Sequence, residues 1–249
     1  MQSEVASSIA QEIKIQLTPQ EEAQLADTPR VNPEAYQAYL RGREHAHSGM
    51  TLENSQLALE MLQRAVRLDP NHATAYAELA RAHSVMYHMG YDRTEERIIR
   101  AKEALDRASR LKPDSAETHI ASGWFYYLAK KDYDLALKEF ARANNQVPNN
   151  PEPLWGIAFI LRRKGDFEGA VEGLKKGLSL SPRFASRWAE LGLTYVVMRR
   201  YSDAETCLDR AISIAPDETH TYTFKARNLL LGKADIQQAR EILQDISNT

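Results

Sequence analysis

Three prolines, Pro148, Pro182 and Pro216, recur at intervals of 34 residues, and the two intervals they bound repeat one order of side-chain sizes. In the better ordered interval Trp188, Leu191, Gly192 and Tyr195 precede Tyr201, Ala204, Leu208 and Ala211, and Pro216 closes it. The interval before it carries Leu154, Ile157, Ala158 and Leu161, then Phe167, Ala170, Leu174 and Gly177, then Pro182. Spacings of three and four residues place these side chains on one stripe of a helix, so each interval predicts a pair of helices, A and B. Large side chains on A meet small ones on B, which permits close approach. The proline ends B because it lacks the N–H that the next helical hydrogen bond needs. One such pair cannot cover its own apolar faces, so the pattern demands stacked neighbours and predicts a helical solenoid, an architecture suited to binding.

That ordered set of residues resembles the tetratricopeptide repeat (TPR). Further units fit the resemblance with local departures. Gly123, Tyr126, Tyr133, Ala136, Phe140, Ala143 and Pro148 form one unit, with His119 at the usual aromatic place and one additional residue in the turn. Upstream, Tyr76, Leu79, Ala80 and His83 begin a unit whose second helix, with Ala101, Leu105, Ala108 and Pro113, is delayed by a nine-residue insertion at Met86 to Thr94. That insertion predicts a longer helix A, a short turn at Gly90 and a new helix start at Thr94, where Glu95 and Glu96 follow a capping side chain. Tyr39, Gly42, Ala58, Leu62, Ala65 and Pro70 mark the first unit, and its segment from His47 to Glu53 is also long. Tyr222, Ala226, Leu229, Ala239 and Leu243 mark a last unit without a closing proline. The fold expected is an all-α, right-handed TPR superhelix (an α-solenoid) of about six units. Their bounds fall near 35–70, 73–113, 116–148, 151–182, 185–216 and 219–249, in an array spanning 33–249.

Residues 1–32 read differently. Val5, Ile9, Ile13 and Leu17 share one helical stripe, Thr18, Pro19 and Glu21 give a second helix-start signal, and Pro29 and Pro33 bias the residues before them toward extended backbone. The expectation is an amphipathic helix and a linker. Leu17-Thr18-Pro19-Gln20-Glu21, Asn32-Pro33-Glu34-Ala35-Tyr36 and Tyr39-Leu40-Arg41-Gly42-Arg43 together resemble a group of bacterial regulators. In those, a TPR array follows a nucleotide cyclase, a serine/threonine kinase or a winged-helix module, commonly with a TolB-like region between. The likeness continues through Ala73 to Leu79, Tyr126-Tyr127 with Asp132-Tyr133-Asp134, and Gly165-Asp166-Phe167. It implies a sensory or scaffolding segment of a signalling protein.

Composition narrows the functions. Near balance of 32 basic and 34 acidic side chains supplies no field of one sign, which argues against a nucleic-acid partner held by phosphate neutralisation. A single cysteine, Cys207, permits no intrachain disulfide. No basic start with a long apolar run and no stretch of 18 apolar residues occurs, so no membrane insertion is expected; the resemblance implies a cytoplasmic array, or a periplasmic one where a transmembrane segment precedes it. His45 with His47, and His83 with His88, lack the further ligands of a metal site. Lys164-Gly165-Asp166-Phe167-Glu168-Gly169 reads as an interhelical turn rather than a phosphate cradle, and no serine sits in a nucleophile-elbow motif. No catalytic set, cofactor site or metal site is expected, and the chain reads as a non-enzyme.

The A helices of such a solenoid line its concave face. The positions flanking their packing residues are Tyr39, Arg43, Glu78, Arg81, Trp124, Tyr127, Trp155, Phe159, Arg162, Arg163, Phe224 and Arg227. Exposed aromatics and arginines are frequent interface anchors. These residues therefore predict a groove for an extended peptide or amphipathic helix, centred on Trp124, Tyr127, Trp155 and Phe159. The competing reading packs the four aromatics between adjacent A helices. TPR modules that grip a chaperone's C-terminal carboxylate use a lysine and an asparagine where this chain has Tyr39 and Arg43, so that function is not carried over. The partners expected are a protein or peptide, or an effector domain of the same protein. Homo-oligomers are also admitted, through Ile242, Leu243 and Ile246 at the far end.

Overall fold

The computed structural model describes residues 32–49 and 51–247. The expected helix of residues 4–17 lies outside them. Among the described residues there are twelve α-helices in six consecutive antiparallel pairs and no strand. In chain order they are α1 (Pro33–His47), α2 (Leu52–Leu68), α3 (Ala73–Met89), α4 (Glu95–Leu111), α5 (Ala116–Phe125), α6 (Tyr133–Gln146), α7 (Pro151–Lys164), α8 (Phe167–Leu180), α9 (Ala185–Val197), α10 (Tyr201–Ile214), α11 (Thr219–Lys233) and α12 (Ile236–Ser247). The fold is the all-α solenoid that the repeat predicts. No described helix is long and apolar enough to cross a membrane.

Local chemistry explains the boundaries. Pro70, Pro113, Pro148, Pro182 and Pro216 each follow the last residue of a B helix by two positions. At the helix starts, the side chains of Asn32, Thr51, Thr94, Ser115, Asp132, Asn150 and Asp166 accept backbone N–H groups that have no partner inside the helix. The insertion divides as expected: α3 continues to Met89, Gly90 stops it in the left-handed region at φ 83°, and Thr94 caps α4.

The additional residue of the third unit is not placed as expected. Instead of lengthening the turn, it widens the end of helix A into a single π-helical stretch, Tyr126–Lys130, directly after α5. A π-turn takes up one residue without breaking the stripe that α5 presents to its neighbours. Tyr127, Leu128 and Ala129 accordingly stay buried.

Burial follows the size rule. Phe140 on α6, fully buried, inserts where two A helices offer glycine: a Cβ at Gly123 or Gly156 would stand 2.7 or 2.4 Å from its ring. His119, at the aromatic place of α5, is held between two carboxylates, Nδ1 2.7 Å from Glu139 and Nε2 2.9 Å from Asp114. Burial works against its charge, but these two hydrogen bonds outweigh that and raise its pKa. The core falls into a cluster from Ala38 to Ala129, a larger one from Val85 to Ala211, and a small third confined to α11 and α12.

Candidate partner-binding groove

Successive A helices touch one another along α1–α3, α3–α5, α5–α7 and α9–α11, whereas no B helix packs to that extent on the next B helix. The A helices therefore form the inner wall of the solenoid and the B helices its outer layer. Arg81 on α3, with 8% of its side chain exposed, joins four repeats at that wall. Its Nη1 donates to Glu152 Oε1 on α7 at 2.9 Å and to His47 Nε2 on α1 at 2.8 Å, and lies 3.5 Å from Glu78 Oε2. Trp124 Nε1 on α5 donates to the same Glu152 oxygen at 2.9 Å, and the Arg81 guanidinium lies 5.7 Å from the Trp124 ring centroid. Burial alone would raise the Glu78 pKa, but His47, Arg81 and Arg43 outweigh it, so the carboxyl is held below its usual range.

The expected aromatic centre is packed rather than presented. Trp124, Tyr127, Trp155 and Phe159 are 2%, 6%, 3% and 6% exposed, in the same core cluster as Phe140. Trp124 stands edge-on to Phe140 at 5.1 Å and to Tyr127 at 6.0 Å, with Phe159 at 6.2 Å. The expectation that these rings offer a free aromatic surface is corrected: the superhelix brings adjacent A helices close enough to use the rings as mortar. Tyr39 is buried too, its ring 4.9 Å from His72, and Arg81 is committed to Glu152. Arg162 is half-buried, paired with Glu190 at 2.7 Å and donating to Thr194 at 3.1 Å.

What remains accessible is arginine with one aromatic. Arg43, Arg163 and Arg227 are exposed, and Phe224 is half-buried against His220. Sequence reading misses two residues of this wall. Glu152 looks like an ordinary first-turn acid of α7, and its place one turn before Trp155 on the inner face is the available signal. Arg187, beside the signature Trp188, looks like a mere flank. It is 8% exposed, and its guanidinium carbon lies 5.0, 5.1 and 5.2 Å from the ring centroids of Trp155, Phe159 and Phe184. Burial pushes its pKa down to about 10, which leaves it charged at neutral pH.

Seven buried side-chain polar atoms lack a hydrogen-bond partner among the described residues, and they belong to Glu78, Trp155, Arg187, Glu190, Glu218, Thr221 and Asn228. Of these, Glu78 and Glu190 keep ion pairs with Arg81 and Arg162, and Glu218 Oε2 lies 3.7 Å from His220 Nε2. All seven residues lie on A helices or at an A-helix cap, none on a B helix. An open cleft of about 400 Å³ lies elsewhere, between α8, α9 and α10, lined by Lys175, Leu178, Trp188, Leu191, Tyr195 and Cys207. Burial raises the Cys207 thiol to about 11, so it stays protonated and unreactive at neutral pH.

This architecture matches known proteins. Residues 43–83 and 95–151 match one tetratricopeptide-repeat family, and residues 185–218 match a second description of the same repeat, together more than half of the chain. The chain belongs to the tetratricopeptide-repeat proteins. It is 26% identical over 218 residues to the transcriptional regulator HilA of Salmonella typhimurium, covering 84% of this chain and 37% of HilA. It is also 26% identical over 170 residues to a BBSome complex member BBS4 homolog of Drosophila melanogaster, covering 67% and 32% of the two chains. The chain thus spans less than two fifths of the length of these relatives. Among solved structures it resembles TTC0263, a thermophilic TPR protein of Thermus thermophilus, with a TM-score of 0.63 at 18% identity, covering 79% of this chain and 99% of that one. It also resembles YrrB, a TPR protein with an unusual peptide-binding site, at a TM-score of 0.50 and 15% identity over 77% and 94% of the chains. At such identities the likeness is one of fold.

Proposed function

We propose that the chain is a protein-interaction scaffold that takes an extended peptide or a short amphipathic helix along its A-helix wall, as a regulatory segment of a bacterial signalling protein. The observation that carries the reading is the confinement to A helices of the buried polar atoms that lack hydrogen bonds. A buried group without such a partner costs free energy, and a ligand backbone supplies both donors and acceptors. Exposed Arg43, Arg163 and Arg227 give the same wall charged contacts, and the rigid frame limits the ordering cost of binding. The likeness to a transcriptional regulator supports the regulatory setting.

The test is selection of displayed random peptides on the full chain. The reading expects enriched peptides whose binding is lost in the triple variant Arg43→Glu, Arg163→Glu, Arg227→Glu while helicity is kept. Failure to enrich any peptide, or binding indifferent to the triple variant, overturns it.

A second reading rests on the C-terminal pair. Leu231, Ile236 and Leu243 are 53%, 62% and 42% exposed there, which favours self-association through the last unit. Sedimentation across micromolar to millimolar protein decides it: a single monomeric species throughout rejects the reading. A third reading has the array dock on an effector domain of the same protein, or on residues 4–17, and change that domain's activity.

A further inference from the structure

The cleft between α8, α9 and α10 lies off the A-helix wall, because two of its three sides are B helices. Its volume of about 400 Å³ falls within the ~300–1,000 Å³ of small-molecule sites. Leu178, Leu191 and Cys207, all buried, line it together with the half-buried ring of Trp188. The Trp188 indole N–H already donates to the Pro182 carbonyl at 2.9 Å, so the ring offers the cleft apolar surface only. The repeat itself does not require such an opening. Thirty-four residues earlier the places of Lys175 and Cys207 are taken by Ala141 and Gly173, and a Cβ at Gly173 would stand 3.1 Å from that of Ala158.

One charge at the cleft is left over. Asp203, on α10, is bound by Arg200, whose Nε and Nη2 stand 2.8 and 2.7 Å from its Oδ2. Lys175, on α8, is exposed and has no carboxylate partner among the described residues. Its Nζ stands 5.8 Å from the Tyr195 ring centroid, and a ring face attracts an ammonium without using up its three N–H donors. Burial and Asp203 push the Cys207 thiol up while Lys175 pulls it down, so the ammonium acts on the buried side of the cleft. Lys175, Arg200 and Asp203 together leave one positive charge beside an apolar hollow.

We propose that this cleft binds a medium-chain carboxylate, with the alkyl chain against Leu178, Trp188 and Leu191 and the carboxylate on the Lys175 ammonium. An apolar body matches the lining, and a single negative charge matches the one cation that no carboxylate balances. A phosphate dianion would meet one point charge and the repulsion of Asp203, and a neutral lipid would leave Lys175 unused. A flexible chain also conforms to a cleft whose walls are fixed by the repeat. The site is separate from the A-helix wall, so this inference does not depend on the peptide-binding reading.

Titration of the full chain with octanoate and with octanamide, followed by amide chemical shifts, tests it. Octanoate is expected to bind with a dissociation constant below about 1 mM, with shifts concentrated around Leu178, Trp188 and Cys207. Octanamide keeps the chain and loses the charge, and is expected to bind the wild type at least tenfold more weakly. On Lys175→Met, which keeps an apolar stem at an exposed position, acid and amide are expected to differ less than twofold. Thr206→Trp, at a second exposed lining residue, is expected to fill the cleft and abolish binding of the acid. Helicity and melting temperature check that both variants keep the fold. No octanoate binding in that range, equal binding of acid and amide by the wild type, or a preference for the acid that survives in Lys175→Met overturns the inference. So do octanoate binding unchanged in Thr206→Trp and shifts centred on Arg43, Arg163 and Arg227.

Discussion

Single side chains at the inner wall carry two kinds of work, and the Arg81 cluster shows the structural kind. One carboxylate oxygen of Glu152 receives both Arg81 and Trp124, so Glu152→Ala removes the nearer of the two carboxylates of a buried cation and leaves a buried indole N–H without a partner. Breaking one side of such a pair is expected to cost about 3 kcal/mol of stability, read as a shift of the urea midpoint. Two histidines shape the pH response in opposite directions. His83 is buried beside Arg97, whose Nη1 stands 2.9 Å from its Nδ1, and burial together with Arg97 and Arg100 lowers its pKa to about 4. Between about 6.5 and 4 the unfolded chain takes up a proton that the folded chain refuses, so stability falls on acidification through that window. His119 works the other way, since its raised pKa gives a contribution that is complete below about 6.5 and lost as pH rises through the folded value. Unfolding free energy measured from pH 4 to pH 9 is expected to show a shallower acid-side slope in His83→Gln, with His72 and His88, whose pKa values burial also lowers, supplying part of what remains, and a weaker alkaline-side decline in His119→Gln. The Arg81–Glu152 contact is not legible in the sequence because it joins residues 71 apart, whose meeting depends on the curvature of the solenoid. The same curvature decides that Trp124 and Trp155 fill the space between A helices.

At the scale of the helix pair, far more is legible. The prolines after the B helices, the capping residues and Gly90 are local signals, and local signals survive in a linear chain. What they do not convey is how a single additional residue is absorbed, because a longer turn and a π-turn have the same composition. The turns from A to B share one demand: a residue with left-handed backbone. Gly90 and Gly165 meet it without strain, at φ 83° and 87°, whereas Lys131, Arg199 and Ala234 meet it with side chains at φ 56°, 59° and 53°. Ala234, with only a methyl group to contribute, is expected to gain about 0.5–1 kcal/mol on replacement by glycine. Thermal unfolding of Ala234→Gly checks this, and a lower melting temperature would show that the turn is not strained.

For the whole molecule, the layout of the core predicts uneven stability. Two large clusters meet in the third unit, where Phe125 belongs to one and Trp124 to the other, so the first five units are expected to open together. The last pair has its own small core of Ala226, Leu229 and Ala239, and leaves Leu231 and Ile236 in water. In a repeat protein a weak end opens on its own. Amide exchange in α11 and α12 is expected to run at least tenfold faster than in α7 and α9, and equal protection would refute the division.

The central claim is that this solenoid binds through its A-helix wall, and mapping a selected peptide onto the full chain by amide chemical-shift perturbation tests it most directly. The account predicts shifts concentrated in α1, α7, α9 and α11, around Arg43, Arg163 and Arg227. Shifts confined to the B helices, or to the cleft around Trp188 and Cys207, would contradict it.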